Sequence, residues 1–419
     1  MKAKTPPKET FFRSRWVDCP AEAIELSRDE LPAGFRAAGV ACGIKRSGDL
    51  DLGLLVCDAE APSAAARFTR NALVAAPVEV SRRADLANLR VVVVNSGNAN
   101  VSGGAEGLAV AEAMGATAAA AIGARADRVG VASTGVIGLG LDRDVVTRGI
   151  EQAAGELTTS AREFAQAIMT TDRWPKYAAL ELALSGGRVR LCAQAKGGGM
   201  ISPAFATMLA FVETDAALDA TTLDRLLGAA VARSFDRISV DGQLSTNDSV
   251  FALAGGAAGV SVEPGSDDEL ALAAALDAPA RQLAIEIVAD GEGSTRVARL
   301  AVRGVTGTAE PAARAVANSL LVKCALFGGD PNWGRILQAA GQALPDSGAD
   351  EFHLWIEDVQ VAEGSVAVSL SDRERARLDE AMRQSEVDLS LLIARPEEET
   401  EIWFSDLGHE YVNINAEYS

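Results

Sequence analysis

The stretch "LRVVVVNSGNANVSGG", residues 89–104, constrains the fold more than any other. Four consecutive valines followed by Asn and Gly are typical of a buried strand that ends in a turn. The helix-like run "EGLAVAEAMGATAAAAIGA" follows, and "DRVGVASTGVIGLG" repeats the change from a strand to a loop of small residues. Strands that alternate with helices in this way predict an α/β chain.

A second region predicts a β-hairpin. In "YAALELALSGGRVRLCAQAKGGG", two alternating arms flank a Ser-Gly-Gly turn, and the second arm leads Lys196 into a glycine loop. We expect the next strand to begin near Ala206. This mixture favours antiparallel or mixed sheets covered by helices over the parallel sheet of a nucleotide-binding protein.

Apolar residues at three- and four-residue spacing predict helices elsewhere. The helical stretches are "LDRDVVTRGIEQAAGEL", "SAREFAQAIM", "TTLDRLLGAAVARSF", "DELALAAALDAPARQLAIEIV" and "DRERARLDEAMRQS". Strand character returns near the end of the sequence, in "FHLWIEDVQVAEGSVAVSL" and "ETEIWFSD".

Length and composition limit the domain organisation. A chain of 419 residues, 48% of them hydrophobic and 39 of them glycine, can bury a large core, and its length alone favours about two domains. No repeat and no low-complexity linker divides the sequence. We therefore expect one continuous α/β body.

Charge excludes several classes of partner. The net charge of -19, from 39 basic and 58 acidic residues, repels phosphate backbones and anionic membranes. The basic opening stretch is not followed by an apolar segment, so it does not resemble a secretory signal. The run "AVAEAMGATAAAAIGA" is interrupted by Glu112 and Gly115 and is expected to fall short of a membrane span. We expect a cytoplasmic protein that binds neither nucleic acid nor membrane.

The reactive side chains exclude several common sites. The five cysteines are scattered and never spaced C-x-x-C, so neither a disulfide framework nor a zinc site is predicted. The glycine and acidic stretches lack the spacing of a P-loop, a dinucleotide loop or an EF-hand, and we predict no metal site. The two histidines, His353 and His409, limit any mechanism that needs an imidazole base.

Thr207, in "KGGGMISPAFATMLAF", has two interpretations. A threonine hydroxyl is a weak nucleophile near neutral pH and needs an adjacent base, for which its own α-amino group, with an ordinary pKa near 8, is suitable. That amine exists only if the Ala206-Thr207 bond is cut, and the small Ala206 lets the Thr207 hydroxyl approach its carbonyl for self-cleavage. Alternatively, Thr207 is an ordinary strand residue.

Several short stretches are candidate binding loops, because small residues, hydroxyls and amides let backbone N–H groups point at a ligand. They are "NSGNAN", "STGVIG", "MTTDRWPK", "KGGGM", "VDGQLSTND", "DGEGSTR" and "KCALFGGDPNWGRI". In "STGVIG", the Gly135 N–H beside the Thr134 hydroxyl would suit an oxyanion, and Lys196 and Glu292 would hold an amino-acid-like substrate. The alternative is that each stretch is an ordinary turn, with Lys196 a solvated loop end.

In identity and order, these stretches resemble the glutamate N-acetyltransferase / ornithine acetyltransferase family of the cyclic arginine pathway. The resemblance covers nearly the whole chain, from "NSGNAN" to the terminal "INAEY". It implies an N-terminal-nucleophile-like α/β (α+β) fold with stacked sheets between helix layers. It also implies self-cleavage into an α chain, residues 1–206, and a β chain, residues 207–419. The two chains would form one intertwined body with a smaller C-terminal α/β portion and pair as α2β2.

The resemblance also implies roles for single residues. Thr207 would be the nucleophile, and Thr134 and Gly135 the oxyanion pair. The implied substrate contacts are Thr171, Lys196, Thr207, Glu292, Asn415 and Ser419. The acetyl group would pass from N2-acetylornithine to Thr207 and then to glutamate in a ping-pong mechanism without a cofactor, and some members of the family also accept acetyl-CoA.

The sequence departs from the family pattern at four places. Arg173-Trp174 stands where members often have a small hydroxyl residue, which is expected to reshape the substrate entrance and leaves the donor preference open. Ala204-Phe205 replaces Asn-Met, and Gln243-Leu244 interrupts an acidic stretch, which predicts slower self-cleavage. Members commonly end in a threonine one position beyond Ser419, so either Ser419 substitutes for it imperfectly or the sequence is short.

Two other functions fit the same residues. The first is a self-activated aminopeptidase or amidase, in which water instead of glutamate resolves the acyl-enzyme. The second is a non-catalytic binding protein that keeps the fold but is never cleaved.

Overall fold

The computed structural model describes residues 10–202, 208–345 and 351–417. The chain forms two compact units. The first unit consists of Met1–Gly198, Ala204–Asp236 and Leu244–Ile287, and the second of Gly199–Pro203, Arg237–Gln243 and Val288–Ser419. The predicted division into residues 1–206 and 207–419 depends on a cleavage event and stays a prediction.

The first unit contains two mixed sheets. The six-stranded sheet has, in spatial order, β1 Ala23–Glu25, β7 Lys176–Leu184, β8 Gly187–Lys196, β9 Leu209–Thr214, β11 Ser249–Ala254 and β4 Ser63–Phe68. The four-stranded sheet has β2 Phe35–Val40, β3 Leu52–Cys57, β5 Val91–Asn98 and β6 Val129–Val136. The pairs β5–β6 and β9–β11 are parallel, and the other neighbours are antiparallel.

The helices of this unit follow the predicted periodicity. They are α1 Ala76–Arg82, α2 Gly104–Ile122, α3 Arg143–Gly155, α4 Arg162–Ala167, α5 Ala220–Arg233 and α6 Asp267–Ala289, the last of which ends in the second unit. Asp142 and Asp219 cap α3 and α5 by accepting backbone N–H groups of the first turn. The predicted helices at α3, α4, α5 and α6 are confirmed.

The valine run of β5 connects two layers of the core. Val92 and Val94 pack into a cluster with residues of the six-stranded sheet, such as Phe211. Val91 and Val93 pack on the other face with α2 and α3. Because successive strand residues point to opposite faces, the two sheets stack with helices outside one of them. The predicted α/β chain with stacked, mixed sheets is confirmed.

Helix α2 corrects one expectation about membranes. Glu112 and Gly115 do not interrupt it, and its 19 residues are long and apolar enough, by length and composition alone, to cross a membrane. In the structure Val110 and Met114 are buried in the cluster that also contains β5 and β6 residues. This packing is that of a core helix in a folded protein.

The predicted hairpin is also confirmed. Strands β7 and β8 pair antiparallel from Lys176 opposite Ala195 to Leu184 opposite Gly187. The next strand is β9, which begins at Leu209. Ala206 and Thr207 lie outside the described residues, so the interpretation of Thr207 as a strand residue is not decided by the fold.

The second unit has one mixed sheet of seven strands. In spatial order they are β10 Ile238–Ser239, β17 Glu398–Ser405, β12 Val297–Gly304, β16 Glu386–Ile393, β13 Phe352–Ile356, β14 Val359–Glu363 and β15 Val366–Ala367. Its helices are α7 Ala309–Asn318, α8 Leu320–Gly328, α9 Trp333–Gln342, α10 Asp372–Ala381 and α11 His409–Glu417. Apolar residues of the sheet and of α7 to α10 form one core, which includes Leu300, Val316 and Phe404.

The loop predicted for one candidate binding stretch is wrong. "KCALFGGDPNWGRI" is mostly helical, because it contains the end of α8 and the start of α9. Gly329, with φ of +67°, ends the first helix, and the Asn332 side chain caps the second by accepting the Arg335 N–H. Only the short link between the two helices has the loop character that its glycines and proline suggested.

Candidate active site

The predicted oxyanion pair lies at the end of β6, where the strand leaves its partner β5. Thr134 pairs with both Ser96 and Asn98, so the ladder contains a bulge at this point. The Asn247 side chain holds the same strand ends by donating to the carbonyl oxygens of Ala99 at 2.6 Å and Ser133 at 3.0 Å. The backbone around Thr134 is therefore fixed from two sides.

Gly135 can only be glycine at this position. Its φ is +133°, and a Cβ atom would lie 2.3 Å from the Gly97 carbonyl carbon and 2.5 Å from the Asn98 nitrogen. Both contacts are with backbone atoms, which cannot move aside without disrupting β5. The close approach of strands β5 and β6 thus explains why a glycine follows Thr134.

Lys196, the last residue of β8, connects the hairpin to the oxyanion pair. Its ammonium is buried and donates to the Thr134 hydroxyl at 3.1 Å and to the Thr170 hydroxyl at 2.8 Å. Lys196 is therefore not a solvated loop end, and the alternative interpretation of this residue is wrong. Thr134 and Lys196 come together as predicted.

A buried ion pair lies beside Lys196. The Lys176 ammonium donates to Asp172 at 2.7 Å, and both side chains are fully buried. Asp172 also accepts the N–H of Gly197 at 2.8 Å and that of Thr170 at 3.0 Å. Burial would raise the pKa of Asp172, but the charges of Lys176 and Lys196 outweigh it and hold this pKa well below its ordinary value.

The "MTTDRWPK" loop thus contributes residues that the sequence reasoning did not single out. The Thr170 hydroxyl accepts from Lys196, and Asp172 accepts from Lys176 and from the N–H of Gly197, the residue after Lys196. The predicted contact Thr171 is half-buried and stands between Thr170 and Asp172 in the sequence. Two signals in the sequence could have found them: the doubled threonine, and the opposite charges four residues apart. The role of Thr171 in substrate binding stays a prediction.

Arg173 and Trp174, which depart from the family pattern, contact each other just before β7. The Arg173 guanidinium lies 4.8 Å from the centre of the Trp174 ring, and the Lys176 ammonium lies 5.7 Å from it. The tryptophan therefore packs against the cation that pairs with Asp172. Its effect on donor preference is untested.

Asp248 lies beside the residue that follows Thr207. Its Oδ1 accepts the Met208 N–H at 3.1 Å, at the start of the parallel strands β9 and β11. Asp248 is buried, with 1% of its surface exposed, and burial raises its pKa well above the ordinary range despite the opposing Met208 N–H, Ser245 hydroxyl and Lys196 charge. Sequence reasoning identified its loop but gave this carboxyl no role.

The second unit brings two other predicted residues together. The Asn415 amide donates to Glu292 at 2.6 Å and to the Tyr411 carbonyl at 3.0 Å. Glu292 also lies against Gly199, where an added Cβ would be 2.5 Å from its carboxyl atoms. Glu292 and Asn415 are thus hydrogen-bonded to each other, and their role as substrate contacts stays a prediction.

Asp241, in the "VDGQLSTND" loop, organises this part of the second unit. It accepts the N–H groups of Met200 at 2.6 Å and Ile201 at 2.8 Å, and the Tyr411 hydroxyl at 3.2 Å. Gln243, one of the departures, donates its N–H to the same carboxylate at 3.1 Å. Burial, followed by the charge of Asp241, raises the pKa of Tyr411. Sequence reasoning did not assign these roles.

Several predicted positions lie outside the described residues. They are the cleavage site Ala206-Thr207, the departure Ala204-Phe205 and the C-terminal Ser419. Among the residues that the structure describes, no group of three or more His, Cys, Asp or Glu is placed to hold a metal ion. All five cysteines have free thiols.

Comparisons with known proteins place these observations in a family. The model of the ArgJ family matches residues 36–419. Two curated relatives, both named arginine biosynthesis bifunctional protein ArgJ, come from Symbiobacterium thermophilum and Chlorobaculum tepidum. The first is 44% identical over 393 residues, which cover 92% of this chain and 97% of the relative. The second is 41% identical over 400 residues, which cover 92% and 96%.

Solved structures give a similar sequence match over a shorter stretch. An ornithine acetyltransferase complexed with ornithine, from Mycobacterium tuberculosis, is 37% identical and covers 43% of this chain and 98% of its own, with a TM-score of 0.40. An ArgJ protein from Bacillus halodurans is 36% identical and covers 44% and 97%, again with a TM-score of 0.40. Superpositions this weak support no structural inference, so family membership depends on the sequence matches.

Proposed function

Because this chain belongs to the ArgJ family, we propose that it transfers an acetyl group from N2-acetylornithine to glutamate, which releases ornithine and forms N-acetylglutamate. It is an acyltransferase of arginine biosynthesis. The family match runs from residue 36 to residue 419 and includes the whole cluster around Thr134 and Lys196. The proposed acetyl carrier is the hydroxyl of Thr207, after the bond to Ala206 has been cut.

One observation carries the chemistry: a buried ammonium fixes the Thr134 hydroxyl. Lys196 is a donor without acceptor capacity, so the Thr134 oxygen must accept in their 3.1 Å hydrogen bond. The Thr134 hydroxyl hydrogen is then directed to another acceptor. A donor polarised by a buried charge next to Gly135 suits an oxygen that becomes negative in the transition state.

The proposed reaction uses the Thr207 hydroxyl and amine together with Thr134 and Gly135. The Thr207 α-amine takes the hydroxyl proton while Oγ attacks the acetyl carbonyl, and Thr134 and Gly135 stabilise the oxyanion. The amide bond then breaks, ornithine leaves with a proton from the amine, and acetyl-Thr207 remains. The amino group of glutamate attacks this ester and regenerates Thr207. No cofactor takes part, and acetyl-CoA enters only as an alternative acetyl donor.

Substrate binding is assigned to the remaining predicted residues. We assign Thr171 and Lys196, together with Glu292, Asn415 and Ser419, to the amino-acid portion of the substrates. The hydrogen bond between Asn415 and Glu292 supports the assignment of these two residues, because it holds an amide and a carboxylate next to each other. Assembly as α2β2 and cytoplasmic location belong to the same proposal and depend on the family resemblance.

The cleavage step is tested by the intact mass of the purified protein and of Thr207→Ala. We expect two fragments, residues 1–206 and 207–419, in the parent and one chain in the variant. Thr207→Ser is the control, because it keeps a hydroxyl on the same backbone and should still be cut. Cleavage of Thr207→Ala at the same bond would contradict the proposal.

The transfer step is tested with N2-acetylornithine that carries a labelled acetyl group. The label should appear in N-acetylglutamate when glutamate is present. Label found only in free acetate would instead identify an aminopeptidase or amidase. An uncut chain that binds acetylornithine without turnover would identify a binding protein.

A further inference from the structure

Lys45 is a cation beside the candidate active site that the mechanism above does not use. It lies in the loop between β2 and β3, and its side chain is half-buried. Among the residues that the structure describes, its ammonium makes one hydrogen bond, to the Leu50 carbonyl at 2.6 Å, and no ion pair. A lysine ammonium carries three hydrogens, so two of them are left for a ligand.

A buried carboxylate fixes the loop that carries Lys45. Asp51 is fully buried, and its side chain accepts the N–H groups of the four consecutive residues 42–45 at 2.6 to 3.1 Å. Gly43, with φ of +99°, lets the backbone wrap around this carboxylate. Because backbone N–H groups occupy both of its oxygens, Asp51 holds the backbone of Lys45 instead of pairing with its ammonium.

The stem of Lys45 reaches the strand that supports the oxyanion pair. A Cβ atom added to Gly97 would lie 3.0 Å from Lys45 Cγ, so the stem packs on β5 at this residue. Gly97 is also the partner of Gly135 in the ladder between β5 and β6. Lys45 and the oxyanion pair therefore lie against the same glycine.

The charges of the Lys196 cluster act on Lys45. Burial lowers the pKa of Lys45, the charges of Asp51 and Asp49 oppose this shift, and the charge of Lys196 adds to it. Asp172 also attracts Lys45, but its oxygens already accept a lysine ammonium and two backbone N–H groups. A half-buried ammonium in these surroundings is stabilised by an anion that arrives with a ligand.

The substrates of the proposed reaction supply such an anion close to the reacting nitrogen. N2-acetylornithine and glutamate each carry a carboxylate on the carbon atom that bears this nitrogen. A group that lies against Gly97 is near the oxyanion pair, so it meets this α-carboxylate before the carboxylate at the end of the glutamate side chain. An ammonium binds a carboxylate through a charge-assisted hydrogen bond.

We propose that the Lys45 ammonium binds the α-carboxylate that N2-acetylornithine and glutamate share, and so determines the specificity for amino-acid substrates. This inference rests on the proposed function and adds one residue to the substrate contacts assigned above. No covalent bond to Lys45 forms or breaks. Because the α-carboxylate keeps its charge throughout acetyl transfer, the contact is equally strong before and in the transition state, and its loss should change KM more than kcat.

The test is Lys45→Met, which removes the charge and keeps an unbranched stem against Gly97. Its matched control is Arg46→Met, at the next position, where the side chain is exposed. The measurements are kcat and KM for N2-acetylornithine and for glutamate. The same variants are assayed with two analogues that lack only the α-carboxylate, N-acetyl-1,4-diaminobutane as the donor and 4-aminobutyrate as the acceptor.

We expect Lys45→Met to raise KM for both substrates about 10- to 100-fold, because a hydrogen bond to a charged group is lost. Its kcat should stay within about threefold of the parent value. For the analogues, kcat/KM should be the same in the parent and in Lys45→Met, since they have no α-carboxylate to bind. Lys45→Arg should recover part of the lost affinity, and Arg46→Met should match the parent throughout.

Three results overturn the inference. Parent-like KM values in Lys45→Met would show that the ammonium does not contact the substrates. A reduced kcat with unchanged KM would show that the side chain only packs behind Gly97, and so would a loss that is equal for the substrates and for their analogues. If the parent does not use the analogues, the two KM values and the recovery by Lys45→Arg decide.

The proposed function and the inference fail in different ways. A parent that forms no N-acetylglutamate overturns both, whereas a parent that forms it leaves the function standing whatever Lys45 does. If Lys45→Met is insoluble, Lys45→Gln, which also removes the charge and keeps the stem, is judged by the same criteria.

Discussion

Glu213→Gln is predicted to make the protein more stable at neutral pH. Glu213 lies in β9, fully buried, and its Oε2 accepts from the Gln194 amide at 2.8 Å. Its Oε1 and the Gln194 Oε1 have no partners in the portion of the chain that is described. Burial raises the pKa of Glu213 to about 8, although the Gln194 hydrogen bond opposes this shift.

The sign and size of the effect follow from proton linkage. Between the ordinary pKa of 4.5 and the folded value of about 8, the folded chain holds a proton that the unfolded chain has released. Stability therefore falls as pH rises through this window, by up to about 1.4 kcal/mol per pH unit. At pH 7 the accumulated loss is on the order of 3 kcal/mol, which glutamine avoids because it is always neutral.

The assay is urea unfolding of the parent and Glu213→Gln at several pH values from about 5 to about 8. We expect the variant to gain stability relative to the parent as pH rises, with nearly equal stability at the acid end of this window. Glu60→Gln, at an exposed position, is the control and should show no such divergence. A stability difference that does not change with pH, or a variant less stable than the parent near pH 8, would refute the reasoning.

Three further predictions concern Gly135, Lys196 and Lys323. Gly135→Ala should lower kcat by at least about 100-fold and reduce stability by several kcal/mol, measured by kinetics and urea unfolding, because its Cβ would meet Gly97 at 2.3 Å. Lys196→Met should also lower kcat by about 100-fold, and adding Thr134→Val should cost little more, since one hydrogen bond connects them; additive losses would contradict this. Burial lowers the pKa of Lys323 to about 7, so between this value and 10.5 the unfolded chain binds a proton that the folded chain lacks. Relative to Lys323→Met, the parent should therefore gain up to about 1.4 kcal/mol per pH unit above pH 7 in urea unfolding, and a falling difference would disprove it.

The sequence predicted the first unit well, because its signals are local. The valines of β5 are buried on both faces, so a continuous apolar run was a sufficient indication of the strand. The hairpin β7–β8 was equally clear from its alternation and its glycine turn. Helix α2 was identified, but Glu112 and Gly115 were expected to interrupt its apolar run, whereas both are tolerated in a helix that packs in a core.

The helices and strands of the second unit were predicted less completely from the sequence. Helices α8 and α9 were taken for a binding loop, since a Gly-Gly-Asp-Pro link draws attention away from the apolar turns on either side. The short α7 and the central strand β16 carried no distinct signal, although β16 pairs with both β12 and β13. Their positions are determined by packing in the core of that unit, which a local pattern does not encode.

Within the candidate site, the sequence identified groups but not their partners. Thr134, Gly135 and Lys196 were named, and the contact between Thr134 and Lys196 confirms that two of these stretches meet. The Asp172–Lys176 pair was missed although its opposite charges stand four residues apart in the sequence. The carboxyl of Asp248 was missed because its burial depends on residues that are distant in the sequence. Thr207, Ala206 and Ser419 lie outside the described residues, so their roles stay predictions.

The most direct test of the account is the mass of each fragment after the cleaved protein has been incubated with N2-acetylornithine in the absence of glutamate. The account predicts that the fragment beginning at Thr207 gains one acetyl group, located on the threonine itself, and loses it when glutamate is added. An unmodified fragment in a preparation that still makes N-acetylglutamate at full rate would show that the acetyl group never resides on Thr207.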